Sequence, residues 1–332
     1  MSPEPLYHSA PLNGLSFLVT GGAGFIGSHL AHYLLEHGAQ VRVMDNLSTG
    51  SRNNLESLQR FDRFEFFFGD IRSRDDCLRA CMGMHYVFHQ AALPSVSRSV
   101  EDPQTTHEVN CDGFFHMLQA ARAQGVRRMV YASSSSVYGD HPALPKREGD
   151  TGMPLSPYAA SKRTNELYAA AFVRNYGMEV IGLRYFNVFG PRQDPHSPYA
   201  AVIPRFVAAL RNGQPPVIYG DGQQTRDFTY ISNAIQANIR AAFTREEQAI
   251  GQVFNVACGE AHSVLDLFHC IKAAMRSNGK ALAEDLQPQH APPRAGDIRH
   301  SQADISLAQR WLGYQPTVML QEGLQRLIAS LQ

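Results

Sequence analysis

The chain of 332 residues is 44% hydrophobic and 18% charged, the proportions of a soluble globular protein whose length suits one large α/β unit with a smaller appended lobe. Its 30 basic and 30 acidic side chains balance and no basic block occurs, so a nucleic-acid or acidic-membrane partner has no electrostatic basis. No apolar run approaches the roughly 20 residues needed to span a bilayer.

Residues 1–14 are polar and Pro-containing, without the basic and apolar regions of a signal peptide. Five cysteines (Cys77, Cys81, Cys111, Cys258, Cys270) form no CxxC pair and no even framework. They read as reduced, mostly core thiols of a cytoplasmic protein. Residues 15–20 then make a largely apolar run feeding a glycine cluster, the pattern of a buried parallel strand. Phe25, Ile26, Leu30, Leu34 and Leu35 recur at helical spacing up to a stop at Gly38. His29, His32 and His37 fall on this helix without a carboxylate or Cys at ligand spacing, so they read as surface histidines and no metal site is expected.

Strand-like segments follow at 40–44, 64–68, 86–89, 128–132 and 180–184, with helical segments between them, notably 105–124 and 157–176. Strands separated by helices of this length imply βαβ crossovers and a Rossmann-type, doubly wound parallel sheet over residues 12–190. Beyond 190 the rhythm loosens, with prolines at 191, 195, 198, 204, 215 and 216. Residues 191–332 are therefore expected to form mainly a substrate-binding lobe, with segments near 231–257 rejoining the first sheet.

The glycine cluster, Gly21-Gly22-Ala23-Gly24-Phe25-Ile26-Gly27, follows the first strand and opens the first helix. Gly21 allows the tight turn, Gly24 lets backbone N–H groups approach a pyrophosphate, and Gly27 lets helix and sheet pack closely. Asp45 closes the second strand eighteen residues beyond Gly27, where a carboxylate accepts from ribose hydroxyls and repels a 2′-phosphate. Asn46 and Leu47 supply no cation, which favours NAD⁺ over NADP⁺. Asp70-Ile71 follows the third strand within reach of the adenine amino group, and His89-Gln90-Ala91-Ala92 follows the fourth, where small residues let a dinucleotide lie across the sheet edge. Asn110 sits inside a helical pattern that does not favour it, so a buried structural role and cofactor contact both stand.

The fifth strand ends in Ala132-Ser133-Ser134-Ser135-Ser136-Val137-Tyr138-Gly139. Hydroxyls at the carboxyl edge of such a sheet can align a reacting alcohol for proton transfer. Pro157 then starts a helix carrying Tyr158-Ala159-Ala160-Ser161-Lys162, whose i, i+4 spacing puts phenol and ammonium on one face. A phenol titrating near its usual value of about 10 is a poor base at neutral pH. The neighbouring ammonium and a positive nicotinamide ring are both expected to favour the phenolate.

With these motifs in view the chain resembles the extended short-chain dehydrogenase/reductases, and among them the nucleotide-sugar epimerases. The resemblance runs from about residue 15 to 331 and takes in Arg184-Tyr185-Phe186-Asn187-Val188-Phe189-Gly190-Pro191, Gly220-Asp221-Gly222, Thr225-Arg226-Asp227-Phe228 and Arg294-Ala295-Gly296-Asp297. It implies NAD contacts at Gly21, Gly24, Phe25, Ile26, Gly27, Asp45, Asn46, Asp70, Ile71, Gln90, Ala91, Ala92, Asn110, Tyr158, Lys162 and Tyr185, with Phe186 close to the nicotinamide. It implies catalysis by Tyr158 and Lys162 with Ser134, Ser135 and Ser136, and contact with a UDP-sugar through Ser134, Ser135, Tyr158, Asn187, Gln193, Ala201, Val202, Tyr219, Arg226, Arg294, Asp297 and Ser301. Two guanidiniums, Arg226 and Arg294, can clamp a diphosphate, although Arg226 and Asp227 can also simply pair with each other.

Related dehydratases and decarboxylases carry carboxylic acids near the strand end where this chain has Ser135 and Ser136, so the resemblance implies chemistry that stops at a 4-keto sugar and ends in net C4 inversion. Gly139-Asp140-His141-Pro142, Arg192-Gln193-Asp194-Pro195 and Asp297-Ile298-Arg299-His300-Ser301 resemble the bacterial UDP-N-acetylglucosamine 4-epimerases. There Ser301 replaces the Tyr of glucose-restricted enzymes and leaves room for an acetamido group. Pro94, where that subgroup has Gly, is a departure near the sugar. Epimerases for UDP-glucose/galactose or UDP-glucuronate are the nearest alternatives; a net reductase or a non-catalytic NAD-sensing protein on the same fold are more distant ones. The resemblance also implies a homodimer through the 105–124 and 157–176 helices.

Overall fold

The computed structural model describes residues 6–9, 11–194, 200–280, 286–293 and 299–331. Seven parallel strands form the central sheet: β1 (Ser16–Thr20), β2 (Gln40–Asp45), β3 (Phe64–Phe68), β4 (Tyr86–His89), β5 (Arg128–Ser134), β6 (Val180–Tyr185) and β7 (Val253–Val256). Their spatial order is β7-β6-β5-β4-β1-β2-β3, so the chain reverses direction of travel between β1 and β4. Ligands of such sheets bind outside the carboxyl ends at that reversal.

Burial explains the strand sequences. All five residues of β1 are buried, as helices cover both faces. β3, at one edge, leaves Phe68 64% exposed. β7 pairs with β6 from Val253 opposite Gly182 to Val256 opposite Tyr185, so a segment from late in the chain completes the other edge. Thr20 lies opposite both Met44 and His89, and Ser134 opposite Tyr185. The register therefore lines up the glycine turn, the end of β4, the serine strand end and the Tyr185-Phe186 turn along one edge.

The helices that matter for the site are α1 (Phe25–Glu36), α2 (Arg74–Cys81), α3 (Val96–Glu101), α4 (Pro103–His107), α5 (Gly113–Ala123) and α6 (Pro157–Tyr176). The single helix expected over 105–124 is instead three pieces: α4, a π-helical turn over Glu108–Asp112, and α5. The π turn carries Asn110, whose side chain reaches back to the Leu93 backbone, a pairing with no signature in helical periodicity. α6 begins with a Ser156 side chain accepting from Ala159 N, has Pro157 in its first turn, and ends at a left-handed Gly177.

The histidines at 29, 32 and 37 are half-buried rather than surface residues. His29 is largely buried and bonded to the Pro191 carbonyl at 3.0 Å, and burial pushes its pKa down to about 4. His37 stacks on Tyr33. Among the described residues no three His, Cys, Asp or Glu side chains gather as a metal site would require, and no helix is long and apolar enough to cross a membrane.

Beyond β6, α7 (Val202–Arg211), α8 (Ile231–Phe243), α9 (Val264–Ser277) and α10 (Leu320–Ala329) alternate with short strand pairs. Thr225–Arg226 pairs antiparallel with His262–Ser263, and Val188–Phe189 lies parallel to Thr229–Tyr230. These pairs carry Asn187 and Arg226 to the carboxyl edge of the sheet. α8 is buried along most of its length, packs on α1 and supports the main sheet.

Candidate active site

The glycine turn makes a cradle with no room for side chains. Gly21 has φ +67°, and a Cβ there would lie 2.6 Å from Ala91 N; a Cβ on Gly27 would lie 2.4 Å from the Gly21 carbonyl oxygen. Gly24 is the N-cap of α1 and supplies no side-chain cap, so the N–H groups of the first turn face outward with the positive end of the helix. That arrangement fits a pyrophosphate.

Asp45 is buried beside it. One carboxylate oxygen accepts from Ala23 N at 2.9 Å and the other from Leu47 N at 2.8 Å, and each keeps acceptor capacity for a further donor such as a ribose hydroxyl. Burial raises its pKa, with the two N–H groups opposing. Asn46 donates to Asp70 at 2.9 Å, and Arg72 grips the same carboxylate, pulling its pKa down to about 2. Ile71 is buried next to this pair.

Three of the expected cofactor contacts have other work. Gln90 donates to Asn238 at 3.1 Å and accepts from the Tyr185 hydroxyl at 3.1 Å, while Asn238 donates to that hydroxyl at 2.8 Å. This closed triangle ties β4, β6 and α8 together and commits the polar end of Tyr185. Asn110 brackets the Leu93 backbone and donates to Ser161 at 3.2 Å. Phe186 is fully buried against Tyr138, so its ring sits in a small core behind the strand ends. Ala91 and Ala92 are half-buried, with Ala91 N on the Thr20 hydroxyl at 3.3 Å.

At the next strand end the catalytic candidates converge. Tyr158 is 8% exposed, and its hydroxyl is hydrogen-bonded to Ser134. The Lys162 ammonium stands 5.9 Å from the Tyr158 ring centre and donates to the Ala132 carbonyl at 2.8 Å. Ser134 also accepts from Ser136 N, capping a short 3₁₀ turn over Ser135–Tyr138, and the Ser136 hydroxyl is buried without a partner. Burial pushes the Tyr158 phenol up, with the Ser134 bond opposing, and pushes Lys162 down to about 8. The protein's own groups thus do not lower the phenol as the sequence suggested, because desolvation outweighs the Ser134 bond and Lys162 aims at a strand carbonyl. His89, under the sheet edge, is held neutral by burial, its pKa down to about 3.

On the lobe side, Asn187 is exposed, with φ 35°, and donates to the Asp227 carbonyl at 3.0 Å. Arg226 is half-buried and donates to the Thr225 carbonyl at 2.8 Å, while Ser301 N donates to the same carbonyl, so Ser301 sits beside Arg226. Asp227 turns its carboxylate onto the backbone N–H groups of Cys258, Gly259 and Ala303 rather than onto Arg226. Burial lifts it to about 6. Gln193 reaches the Val188 carbonyl, Tyr219 lies under the Arg205 guanidinium, and Ala201 and Val202 start α7. Arg294 and Asp297 lie outside the described residues.

Sequence reasoning missed Ser99, Glu166 and Asn238, and gave Asp227 only as a possible partner of Arg226. The Ser99 hydroxyl accepts the Tyr158 backbone N–H at 3.1 Å and donates to the Val96 carbonyl, tying α3 to α6. Its partner is 59 residues away, beyond any local pattern. Glu166 had a signal, since it repeats the four-residue step from Tyr158 to Lys162.

The profile of the NAD dependent epimerase/dehydratase family matches residues 17–257. A UDP-glucose 4-epimerase of Mycolicibacterium smegmatis is 41% identical over 313 residues, spanning 94% of this chain and 96% of that one. The fold superposes on a UDP-N-acetylglucosamine 4-epimerase from Methanobrevibacter ruminantium, in complex with UDP-N-acetylmuramic acid, with a TM-score of 0.87 at 37% identity, covering 96% and 99% of the two chains. It superposes on the NAD complex of a Thermus thermophilus UDP-glucose 4-epimerase with a TM-score of 0.83 at 36% identity, covering 95% and 98%.

Proposed function

The chain belongs to the NAD dependent epimerase/dehydratase family, and from that premise we propose that it inverts C4 of a UDP-hexose, with UDP-N-acetylglucosamine and UDP-N-acetylgalactosamine as the preferred pair. The observation that carries this reading is the meeting of Ser134, Tyr158 and Lys162 at the end of β5, two strands from the glycine cradle along the same sheet edge. The cradle, Asp45 and Lys162 hold NAD⁺, which when bound supplies a reversible acceptor for the C4 hydride.

Tyr158 takes the proton of the 4′-hydroxyl and later returns it; Ser134 aligns that hydroxyl, and Lys162 stabilises the phenolate. Arg226 grips the diphosphate and leaves the hexosyl ring able to present either face. Serines at 135 and 136 offer no acid to expel water, so the keto sugar is reduced rather than dehydrated. The small Ser301 beside Arg226 supports an N-acetylated sugar. α5 and α6 also supply the dimer face we propose, since Leu167, Tyr168 and Tyr176 on α6 are 59%, 43% and 49% exposed.

The test is incubation of the purified protein, without added coenzyme, with UDP-glucose, UDP-N-acetylglucosamine and UDP-glucuronate, followed by NMR of C4. Inversion fastest with the acetamido sugar supports the full reading. Inversion of another sugar alone removes the sugar assignment, and no inversion of any removes the reaction.

A further inference from the structure

α6 presents Tyr158, Lys162 and Glu166 at successive four-residue steps on the face that meets the sheet. The first two belong to the proton-transfer site. The third does not, yet it is the centre of the most elaborate buried ion cluster among the described residues. Arg184, fully buried on β6, donates through Nε and Nη2 to the two Glu166 oxygens, both at 2.8 Å. Ser133 Oγ donates to Glu166 at 2.7 Å, and Arg163 at 2.9 Å. The remaining Arg184 arm reaches the Glu148 carbonyl at 2.9 Å, and its guanidinium lies over the Tyr138 ring.

Burying such a pair costs solvation that apolar residues of the same size would not, so stability alone is a poor reason for it. Its partners suggest a better one. Ser133 directly precedes Ser134, Arg184 directly precedes Tyr185, and Lys162 already holds the Ala132 carbonyl on the same strand. Two successive turns of α6 thus grip two successive residues at the end of β5.

We propose that Glu166 is a positioning residue for the proton-transfer site: locked by Arg184, its carboxylate clamps the end of β5 to α6 through Ser133, fixes Ser134 against Tyr158, and sets a negative charge one turn from the Lys162 ammonium. The inference rests on the catalytic reading of Tyr158 and Lys162. The charge matters because burial drives Lys162 down to about 8 while Cys111 and Glu166 hold it up. Around Lys162 stand Tyr158 on its own helix, Cys111 on the π turn and His89 on β4; around Glu166 stand Arg163 on its own helix, Tyr131 on β5 and Arg184 on β6. Without the carboxylate, Arg184 is left as an unbalanced positive charge, and Lys162 loses its proton at lower pH.

Ser133→Ala and Glu166→Gln in the full chain test this, using the UDP-hexose that the unmodified protein turns over, with kcat, KM, the pH profile of kcat, bound NAD and thermal melting all read. Ser133→Ala leaves the ion pair intact and is expected to lower kcat about tenfold with KM within about twofold and NAD content unchanged, the signature of a displaced aligning group. Glu166→Gln is expected to move the alkaline limb of the kcat profile to lower pH. A Ser133→Ala enzyme with kcat within twofold of the parent overturns the clamp, whether or not Glu166→Gln folds. A superimposable profile in folded Glu166→Gln overturns the electrostatic half. Tyr158→Phe separates the two levels: if it still turns over, or if the unmodified protein acts on no UDP-hexose, the catalytic reading itself falls. If it is dead while Ser133→Ala is unaffected, only the Glu166 inference falls.

Discussion

In the proposed reaction Tyr158 works in a pocket that opposes it. Burial favours the neutral phenol, so the phenolate must come from the Ser134 hydrogen bond, the nearby ammonium and the positive charge of bound NAD⁺. Tyr158→Phe keeps the ring and removes the base. It is expected to lower kcat by about 10²–10⁴ while nucleotide-sugar affinity, read by calorimetry, stays within a few-fold. Asp70 makes a prediction of the opposite kind. Its pKa falls from 3.8 to about 2 in the folded protein through Arg72, so its stabilisation is whole above 3.8 and is lost as pH falls through 2. Asp70→Asn should remove that stabilisation at neutral pH, change little at the lowest pH, and so flatten the acid limb of a urea-melt stability curve in that window; an unchanged slope would sink the linkage. At this scale the sequence was most legible where a residue's chemistry is unusual for its context, as for Tyr158, Lys162 and Asp45. Ser99 was not legible and Glu166 only by its four-residue spacing, because an ordinary glutamate and an ordinary serine on helices acquire meaning only from partners on other elements.

The glycine turn and α6 are the elements on which the proposed site depends. Gly27 packs where a Cβ would meet the Gly21 carbonyl at 2.4 Å, and the obstacle is backbone, which cannot swing aside. Gly27→Ala is therefore expected to cost about 1–3 kcal/mol of stability and to strip NAD from the purified protein. Retention of NAD with an unchanged melting temperature would show that the turn is softer than its geometry implies. The extents of β3, β4 and α6 could be read from periodicity alone, since each is long or strongly patterned and bounded by capping or turn residues. The break in the 105–124 helix could not. The π turn follows from Asn110 bonding to Leu93, seventeen residues earlier, and an amide among helix-forming neighbours gives no sign of it.

Over the whole molecule, the exposed apolar stripe on α6, with Phe115 of α5 packed at a tilt against Tyr168, leads us to expect a homodimer. Leu167→Glu, which places a charge in the middle of that stripe, should yield a monomer by sedimentation at micromolar concentration with its NAD site intact. A parent protein that sediments as a monomer removes the proposal. The sequence by itself determined the doubly wound sheet, the glycine cradle with Asp45 beside it, and the Tyr158/Lys162 pair. Each is a short-range pattern, set by strand and helix periods or by residues within a turn of one another, and such patterns survive in a linear string. Only the tertiary structure decided that Gln90 and Tyr185 close a triangle with Asn238, that Asp227 serves backbone N–H groups instead of Arg226, and that Glu166 joins β5, β6 and α6. Those pairings depend on strand order and register, which bring distant residues to one sheet edge, and a buried polar group takes whatever partner the register delivers.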